Sequence, residues 1–399
     1  MRQHVEQLAA MARKPIRTIL GLMSGTSLDG LDVALCTVEG FGMHTRVRVT
    51  HFVTMPYDTG FRKEIRRVFA QPAIDFQHLV LLNVVVAERH AALVNEALAS
   101  WGVLPEAVDL IASHGQTVFH APRQFHGLPG YPNATLQIGD GDHIARRTGI
   151  ITVSDFRQKH LAAGGEGAPL ALYGDYLLFS RPGEDRFLLN IGGIANFTFL
   201  PGDGDPAKVF ATDTGPGNTL LDAATRRFFD QPFDADALLA RPGRVDAALL
   251  SQLKSHPYFA LPYPASTGPE QFDLDWVLAQ ATPDAQNSDL FAHNLLATLA
   301  RLTADTVAAG ILRVPPTTSN RAVFLSGGGA HNPLLVEHLH HNLSDWAMTG
   351  MEALGLSGDA KEAVLFAVLA NETVAGQAEP TSRLGGLPLV GMGKISFPA

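Results

Sequence analysis

RTILGLMSGTSLDGLDVALCTV, residues 17–38, is the stretch that decides the fold. Arg17 to Met23 reads as an apolar strand, and Asp32 to Val38 as a second. Met23 to Gly30 between them is small and polar, so the two strands are expected to close as a hairpin. Gly25 and Gly30 permit positive φ and close backbone approach, which lets successive N–H groups point at phosphate oxygens. Ser24, Thr26 and Ser27 add hydroxyl donors, and Asp29 could orient a magnesium-bound water. Taken alone, the stretch reads equally well as an ordinary capped turn.

The same arrangement returns twice further along. Phe187 to Asn190 runs into Ile191-Gly192-Gly193-Ile194-Ala195-Asn196, and Ala322 to Leu325 into Ser326-Gly327-Gly328-Gly329. A glycine pair after a strand often marks only a bulge or tight turn. Gly327, Gly328 and Gly329 precede a helix-length segment and leave room for a flat ring or ribose against backbone. Three strand-to-turn elements at 19–30, 188–196 and 323–332, without a fixed short period, fit two related halves around one nucleotide cleft. The expected boundary lies near residue 150. It separates a first lobe, 1–150, from a second, 151–399, with the C-terminal tail free to pack back on the first.

The remaining pattern alternates strands with helices and indicates an α/β architecture. Helices are expected near Phe61 to Ala70 and over Phe76 to Ser100, Asp142 to Thr148, Asp289 to Ile311 and Lys361 to Val374. Strands are expected at Val108 to Ser113, Leu136 to Ile138, Ile150 to Ser154 and Phe197 to Leu200. The 399 residues are 46% apolar and 17% charged, ordinary for a globular enzyme. A net charge of −9 argues against a nucleic-acid partner. Cys36 is the only cysteine, which excludes an intramolecular disulfide and fits a cytoplasmic location. No run approaches the ~20 consecutive apolar residues of a membrane span. Residues 1–14 lack the apolar core of a secretory signal and read as a short helical extension.

Familiar phosphate and acyl signatures are missing: there is no G-x-x-x-x-G-K-[ST], no G-x-G-x-x-G and no G-x-S-x-G. Candidate chemistry lies elsewhere. In Asp213-Thr214-Gly215-Pro216-Gly217-Asn218 the abrupt turn could hold Asp213 as a general base, or Asp213 could cap the following helix. Ser113-His114-Gly115-Gln116-Thr117 offers hydroxyl, imidazole and amide groups suited to sugar hydroxyls. Arg157 could hold a carboxylate bidentately, or pair with Asp155 or Glu166. His338, His340 and His341 lie too close together to share one helix face, so with His331 they read as a solvated surface.

In their order these strings resemble the anhydro-N-acetylmuramic acid kinase family of the actin, hexokinase and heat-shock ATPase superfamily. The matching strings are GLMSGTSLDGLDVAL from Gly21, SHGQTVFH from Ser113, QIGDGDHIARRTGI from Gln137 and DFRQKHLAAGGEGAPL from Asp155. LNIGGIANFTFL from Leu189, DTGPGNTLLDA from Asp213 and LSGGGAHNPLL from Leu325 follow. The resemblance implies a duplicated ribonuclease-H-like fold with ATP between two lobes. Ser24, Gly25, Thr26, Ser27, Leu28, Asp29, Gly30, Leu31 and Asp32 would form the first phosphate loop. Asn190, Gly192 and Gly193 would form the second, and Gly327, Gly328 and Gly329 the adenosine loop. Asp213 matches the family's general base, and Thr117, Lys159 and Glu362 are the implied sugar contacts.

The implied reaction opens 1,6-anhydro-N-acetylmuramic acid and phosphorylates O6 with ATP and Mg2+, in peptidoglycan recycling, by a cytoplasmic homodimer. Lys159-His160 stands where many members show Arg-Asp, and Glu166 where Gln is common, which bears on recognition of the lactyl carboxylate. A levoglucosan-type kinase is the near alternative. A non-kinase actin-like ATPase, and a glycosidase pairing Asp213 with Glu166 or Glu362, are the more distant ones.

Overall fold

The computed structural model describes residues 2–168, 170–282, 290–356, 360–377 and 383–398. The chain gathers into two compact units, Met1–Phe179 with Gly355–Ala399, and Ser180–Leu354. The expected boundary near 150 thus moves to Phe179, and the chain returns to the first unit after Leu354. Sheet pairing gives the reason.

In the first unit β1 (Ile16–Ser24), β2 (Gly30–Glu39) and β3 (Arg46–Pro56) form an antiparallel meander. Next to β1 lie β4 (Leu110–Ala121) and then β6 (Thr152–Ser154), both parallel to it in sequence along the sheet. β5 (Ala134–Ile138) folds back on β4 as a hairpin arm. Because β6 hydrogen-bonds to β4, residues 151–154 cannot belong to another unit.

The second unit repeats this order. β7 (Glu184–Ile191), β8 (Ile194–Leu200) and β9 (Phe210–Pro216) form the antiparallel meander. β10 (Asn320–Ser326) lies parallel to β7, and β11 (Ala347–Gly350) parallel to β10. With the β5 arm and the added edge strand β14 set aside, each sheet therefore runs third, second, first, fourth, fifth strand. That doubled order is the duplicated ribonuclease-H-like fold.

After Leu354 the helix Lys361–Ala375, the short β12 (Arg383–Leu384) and β13 (Leu387–Pro388) hairpin, and β14 (Lys394–Ser396) complete the first unit. β14 adds to the sheet edge antiparallel to β6. The helix lies directly on β1, because a Cβ at Gly21 would come within 1.9 Å of the Ala363 carbonyl oxygen. Only glycine leaves room for that approach. At its other end, the fully buried Arg17 donates from Nε to Asn371 Oδ1 (2.6 Å) and from Nη2 to the Gly40 carbonyl (2.7 Å). Gly42 N–H adds a hydrogen bond to Glu372 Oε1 (2.8 Å).

Two apolar cores match the two units. One packs β1 and β2 with the helix Phe76–Trp101, through Leu20, Val33, Val86 and Val94. The other packs β7 and β8 with the helix Phe291–Leu312, through Phe187, Phe197, Leu299 and Val307. The latter helix is long and apolar enough to cross a membrane, but most of it is buried in its own unit's core. Asp289, its expected start, lies outside the described residues. The helix expected to reach Ala70 ends at Arg66, with Ala70 at a φ of 55°. Residues Arg2–Ala12 form a helix.

Candidate active site

β1 and β2 are joined as expected, with Met23 opposite Asp32. Thr26, Ser27 and Asp29 are exposed at the turn, while Leu28 turns inward and is buried in the core. The residue with positive φ is Leu28, at 59°, and neither Gly25 nor Gly30 adopts such a conformation. Their roles differ from that expectation. A Cβ at Gly30 would lie 2.5 Å from the Met55 carbonyl oxygen, so Gly30 is needed for contact with β3. A Cβ at Gly25 meets nothing closer than Ser27 Oγ at 3.6 Å, which leaves its outer face open. Ser27 Oγ donates to Asp29 Oδ1 (2.5 Å), and this bond first of all holds the Asp29 carboxyl below its ordinary range.

Ser24 differs from its neighbours. It is buried, donates to Gln116 Oε1 (2.6 Å) and accepts from Tyr57 Oη (2.8 Å), so its hydroxyl is committed internally. Tyr57 Oη lies 2.8 Å from His90 Nε2, and Tyr57 N–H donates to the Asp29 carbonyl (3.0 Å). With Tyr57 donating to Ser24, His90 must donate from Nε2. Burial lowers the His90 pKa to about 4, so the ring is neutral.

The Ser113 to Thr117 element is mostly interior, which corrects the expectation of a sugar-reading kit. Ser113, His114 and Gln116 are buried, and only Thr117 is half-buried, accepting from Gln137 Nε2 (3.3 Å). His114 accepts at Nε2 from Arg157 Nε (3.1 Å), and its Nδ1 lies 3.0 Å from the Gly115 carbonyl. Burial, with Arg157 adding to it, drives the His114 pKa down to about 3. Arg157 also donates to the Gly167 carbonyl (2.9 Å). It pairs with neither Asp155 nor Glu166; Asp155 is taken by Lys394 (2.5 Å).

Glu362 opens the helix Lys361–Ala375, reachable by solvent yet closely surrounded. Loss of hydration raises its carboxyl pKa, Asp32 repels its charge, and Arg157 attracts it. Arg157, Asp32 and Glu362 thus share one electrostatic neighbourhood. Lys159 is exposed and has no ion-pair partner among the described residues. His160 is fully buried, edge-on to Tyr173, and accepts the Gly167 N–H at Nδ1 (2.8 Å). It shapes the Gly164 to Gly167 turn from the interior.

In the second unit, β7 and β8 close through Gly192 and Gly193, with Ile191 opposite Ala195. Gly217 N–H donates to the Gly193 carbonyl and Asn218 N–H to the Gly192 carbonyl, each at 2.8 Å. Thr219 adds N–H and Oγ donations to the Gly193 carbonyl (3.2 and 2.7 Å). Gly327 has a φ of 81°, and its Cβ would come within 2.7 Å of Asn190 Oδ1 and of the Ile191 carbonyl. Gly329 packs so closely that a Cβ would lie 2.3 Å from Ile191 Cγ2. These two glycines serve contact with the end of β7. Gly328 instead faces a cavity of ≈ 430 Å³, with Asn218, Asp222, Phe233, His331 and Asn332 on its walls. Asp222 and Phe233 are additions to the expected set. Asp222 follows Asn218 by four residues, one helix turn on the same face, and that spacing was the available signal.

Asp213 sits on β9, and Gly217 caps the next helix, Asn218–Phe229, so the capping alternative falls. Its Oδ2 accepts the Thr267 N–H (2.9 Å), while its backbone is held by Ala265 O (2.9 Å) and Tyr258 Oη (2.9 Å). Oδ1 keeps no partner among the described residues. Partial burial raises the carboxyl pKa, against the Thr267 hydrogen bond that lowers it.

The doubled strand order, with a glycine-marked hairpin turn after the first strand of each unit, defines an actin-like ATPase fold. The anhydro-N-acetylmuramic acid kinase family profile matches residues 17–394. An anhydro-N-acetylmuramic acid kinase of Pseudoalteromonas atlantica is 49% identical over 401 residues, covering 100% of both chains. Those of Pseudoalteromonas translucida and Caldanaerobacter subterraneus are 47% and 37% identical, covering 100% and 98% of this chain and 100% of each relative. The chain belongs to the anhydro-N-acetylmuramic acid kinase family.

Proposed function

We propose that this chain uses water to open 1,6-anhydro-N-acetylmuramic acid and transfers the γ-phosphoryl group of ATP to O6. The products are N-acetylmuramic acid 6-phosphate and ADP. The observation that carries the reading is Asp213: one carboxylate oxygen is held by Thr267 N–H, the other has no partner among the described residues, and the pKa is raised toward that of a useful base. Asp213 takes a proton from water as the water oxygen bonds to the anomeric carbon. The C1–O6 bond breaks with its electron pair going to O6. O6 then bonds to the γ-phosphorus as the bond to the ADP oxygen breaks. Attack opposite the leaving oxygen is inverting, and phosphoryl capture of O6 removes the need for a separate acid.

In this reading Gly25 to Asp32, Asn190, Gly192 and Gly193 take the phosphates, and Gly328 lines the adenosine pocket. Thr117, Lys159 and Glu362 take the sugar, with the exposed Lys159 ammonium available to the lactyl carboxylate. No cluster of three or more His, Cys, Asp or Glu suited to a metal occurs among the described residues. Mg2+ is commonly held by one or two carboxylates and substrate phosphates. Asp29, exposed and ionised, is the group that would hold a magnesium-bound water, and the ion would neutralise phosphate charge. The same reading makes the protein a cytoplasmic homodimer in peptidoglycan recycling and amino-sugar catabolism.

The test is to incubate the anhydro-sugar with ATP and Mg2+ and follow ADP and sugar phosphate together. Equal formation of both, dependent on the sugar, is expected. Ring opening without ATP would indicate a glycosidase, and sugar-independent ATP loss a bare ATPase. Asp213→Asn should lower kcat by about 10²–10⁴ while ATP still binds. Substantial residual activity in that variant rejects Asp213 as the base.

A further inference from the structure

We infer that Gln116 is a positioning residue that sets the first phosphate-type turn for ATP, acting through Ser24 and Gly25. The inference rests on the functional reading above, in which that turn takes the phosphates. Its basis is a local irregularity in the sheet. β1 and β4 run in parallel register from Ile19 and Leu110 to Leu22 and Ser113, but the next pair is Ser24 with Gln116. β4 therefore spends two residues, His114 and Gly115, where β1 spends one. Such a bulge re-aims the side chains that follow it.

Gly115 makes the bulge possible. It has a φ of 75°, and a Cβ there would lie 2.5 Å from the Ile138 carbonyl oxygen. Beyond it, the fully buried Gln116 reaches across to the end of β1. Its Oε1 accepts from Ser24 Oγ (2.6 Å), and its Nε2 faces the carbonyls of Gly25 (3.4 Å) and Thr117 (3.2 Å). An edge facing two carbonyls must be the NH2 edge, which settles the amide orientation. Tyr57 completes the clamp with its hydroxyl on Ser24 and its N–H on the Asp29 carbonyl. Both ends of the turn are thus tied to interior groups, while Thr26, Ser27 and Asp29 stay exposed between them. None of the clamping groups has to touch substrate. Their effect is to fix where the turn's N–H groups point.

The two-sided hydrogen bonding gives a test that packing alone would not pass. Gln116→Leu removes all three bonds, leaving the Ser24 hydroxyl without its acceptor and the Gly25 carbonyl without the Gln116 donor. Gln116→Glu keeps the size, but an ionised glutamate can only accept, so it holds Ser24 and repels the Gly25 carbonyl. Burial raises that glutamate's pKa, and once protonated it can donate as glutamine does. Steady-state kinetics and thermal unfolding would be measured for both variants and the native chain from pH 8 to 6. The inference expects Gln116→Leu to raise KM for ATP or lower kcat by about tenfold or more, with KM for the sugar within about twofold. It also expects the ratio of Gln116→Glu to native kcat/KM for ATP to climb as pH falls. Native constants in a folded Gln116→Leu, or a flat ratio for Gln116→Glu, overturn it. If Gln116→Leu does not fold, the Gln116→Glu ratio decides alone. Absence of ATP-dependent turnover in the native chain sinks the functional reading itself, whereas native turnover with unaltered variants sinks only this inference.

Discussion

The hairpin turns of the two units occupy the same place in the same strand order but are held by different means. The turn at Gly25 to Asp29 is fixed by side chains: Gln116, Ser24, Tyr57 and, behind them, His90. The turn at Gly192 and Gly193 is fixed mainly by backbone, its carbonyls accepting the N–H groups of Gly217, Asn218 and Thr219 at the start of a helix, with the Thr219 hydroxyl as a side-chain addition. A backbone clamp uses the helix's otherwise unpartnered first N–H groups and demands little of residue type beyond small size. A side-chain clamp can be tuned residue by residue, and it brings titratable groups with it. The difference shows that a duplicated fold need not duplicate the way its loops are set.

The largest effect should come from attacking the backbone clamp. In Gly217→Ala the new Cβ would meet Gly192 O at 2.3 Å, Ala195 N at 3.1 Å and Gly193 O at 3.2 Å, all backbone. Overpacking of this kind costs about 3 kcal/mol or more where backbone cannot yield. Gly30→Ala in the first unit meets one carbonyl at 2.5 Å and the Thr54 methyl at 3.0 Å, so it should cost less. Urea unfolding of the two variants checks the order, and the reverse order would break the comparison.

Acid should separate the turns next. His90 and His114 have folded pKa values lowered by burial to about 4 and about 3, against about 6.5 unfolded. Below pH 6.5 the unfolded chain takes up protons that the folded chain does not. Their contribution is therefore complete above pH 6.5 and falls as pH drops toward 4, by about 1.4 kcal/mol per pH unit for each histidine. Hydrogen exchange, corrected for intrinsic rates, should show protection lost around residues 23–32 between pH 7 and 5. No matching loss is expected around residues 190–196, where no titratable side chain among the described residues holds the turn.

The smallest change in stability is expected at the open glycines. Gly25→Ala and Gly192→Ala bring a Cβ no closer than 3.6 and 3.5 Å to other atoms, so unfolding free energy should move by no more than about 0.5 kcal/mol. KM for ATP should nonetheless rise in both, because a methyl group would stand where phosphate approaches. Unchanged ATP kinetics in Gly25→Ala would show that this face of the turn is not used.

Much of the architecture was legible in the order of residues. The hairpin at 17–38 announces itself as apolar runs broken by a small polar turn, and it formed; the strand-like runs at 187–190 and 197–200 flank a glycine turn, and they pair. Asp213 was legible as a candidate base because its neighbours Gly215, Pro216 and Gly217 constrain the chain. The boundary near 150 was not, since pairing of β6 with β4, and of β14 with β6, leaves no mark in a local window. Nor could sequence tell which glycines serve packing and which face open space. Gly327 and Gly329 look alike with Gly328 until the position of Ile191 is known.

The sequence by itself determined the strand and helix alternation, the two turns and the polar strings that mark the family. These depend on neighbours within a few residues, where periodicity and turn chemistry act. Only the tertiary structure decided that Ser113, His114 and Gln116 face inward, that Arg157 is steered by His114, and that His160 is a packing residue. Burial and hydrogen-bond partners are set by chain segments tens to hundreds of positions away. The turn at Met23 to Gly30 holds both lessons: its hairpin was written locally, and its anchor, Gln116, came from another strand.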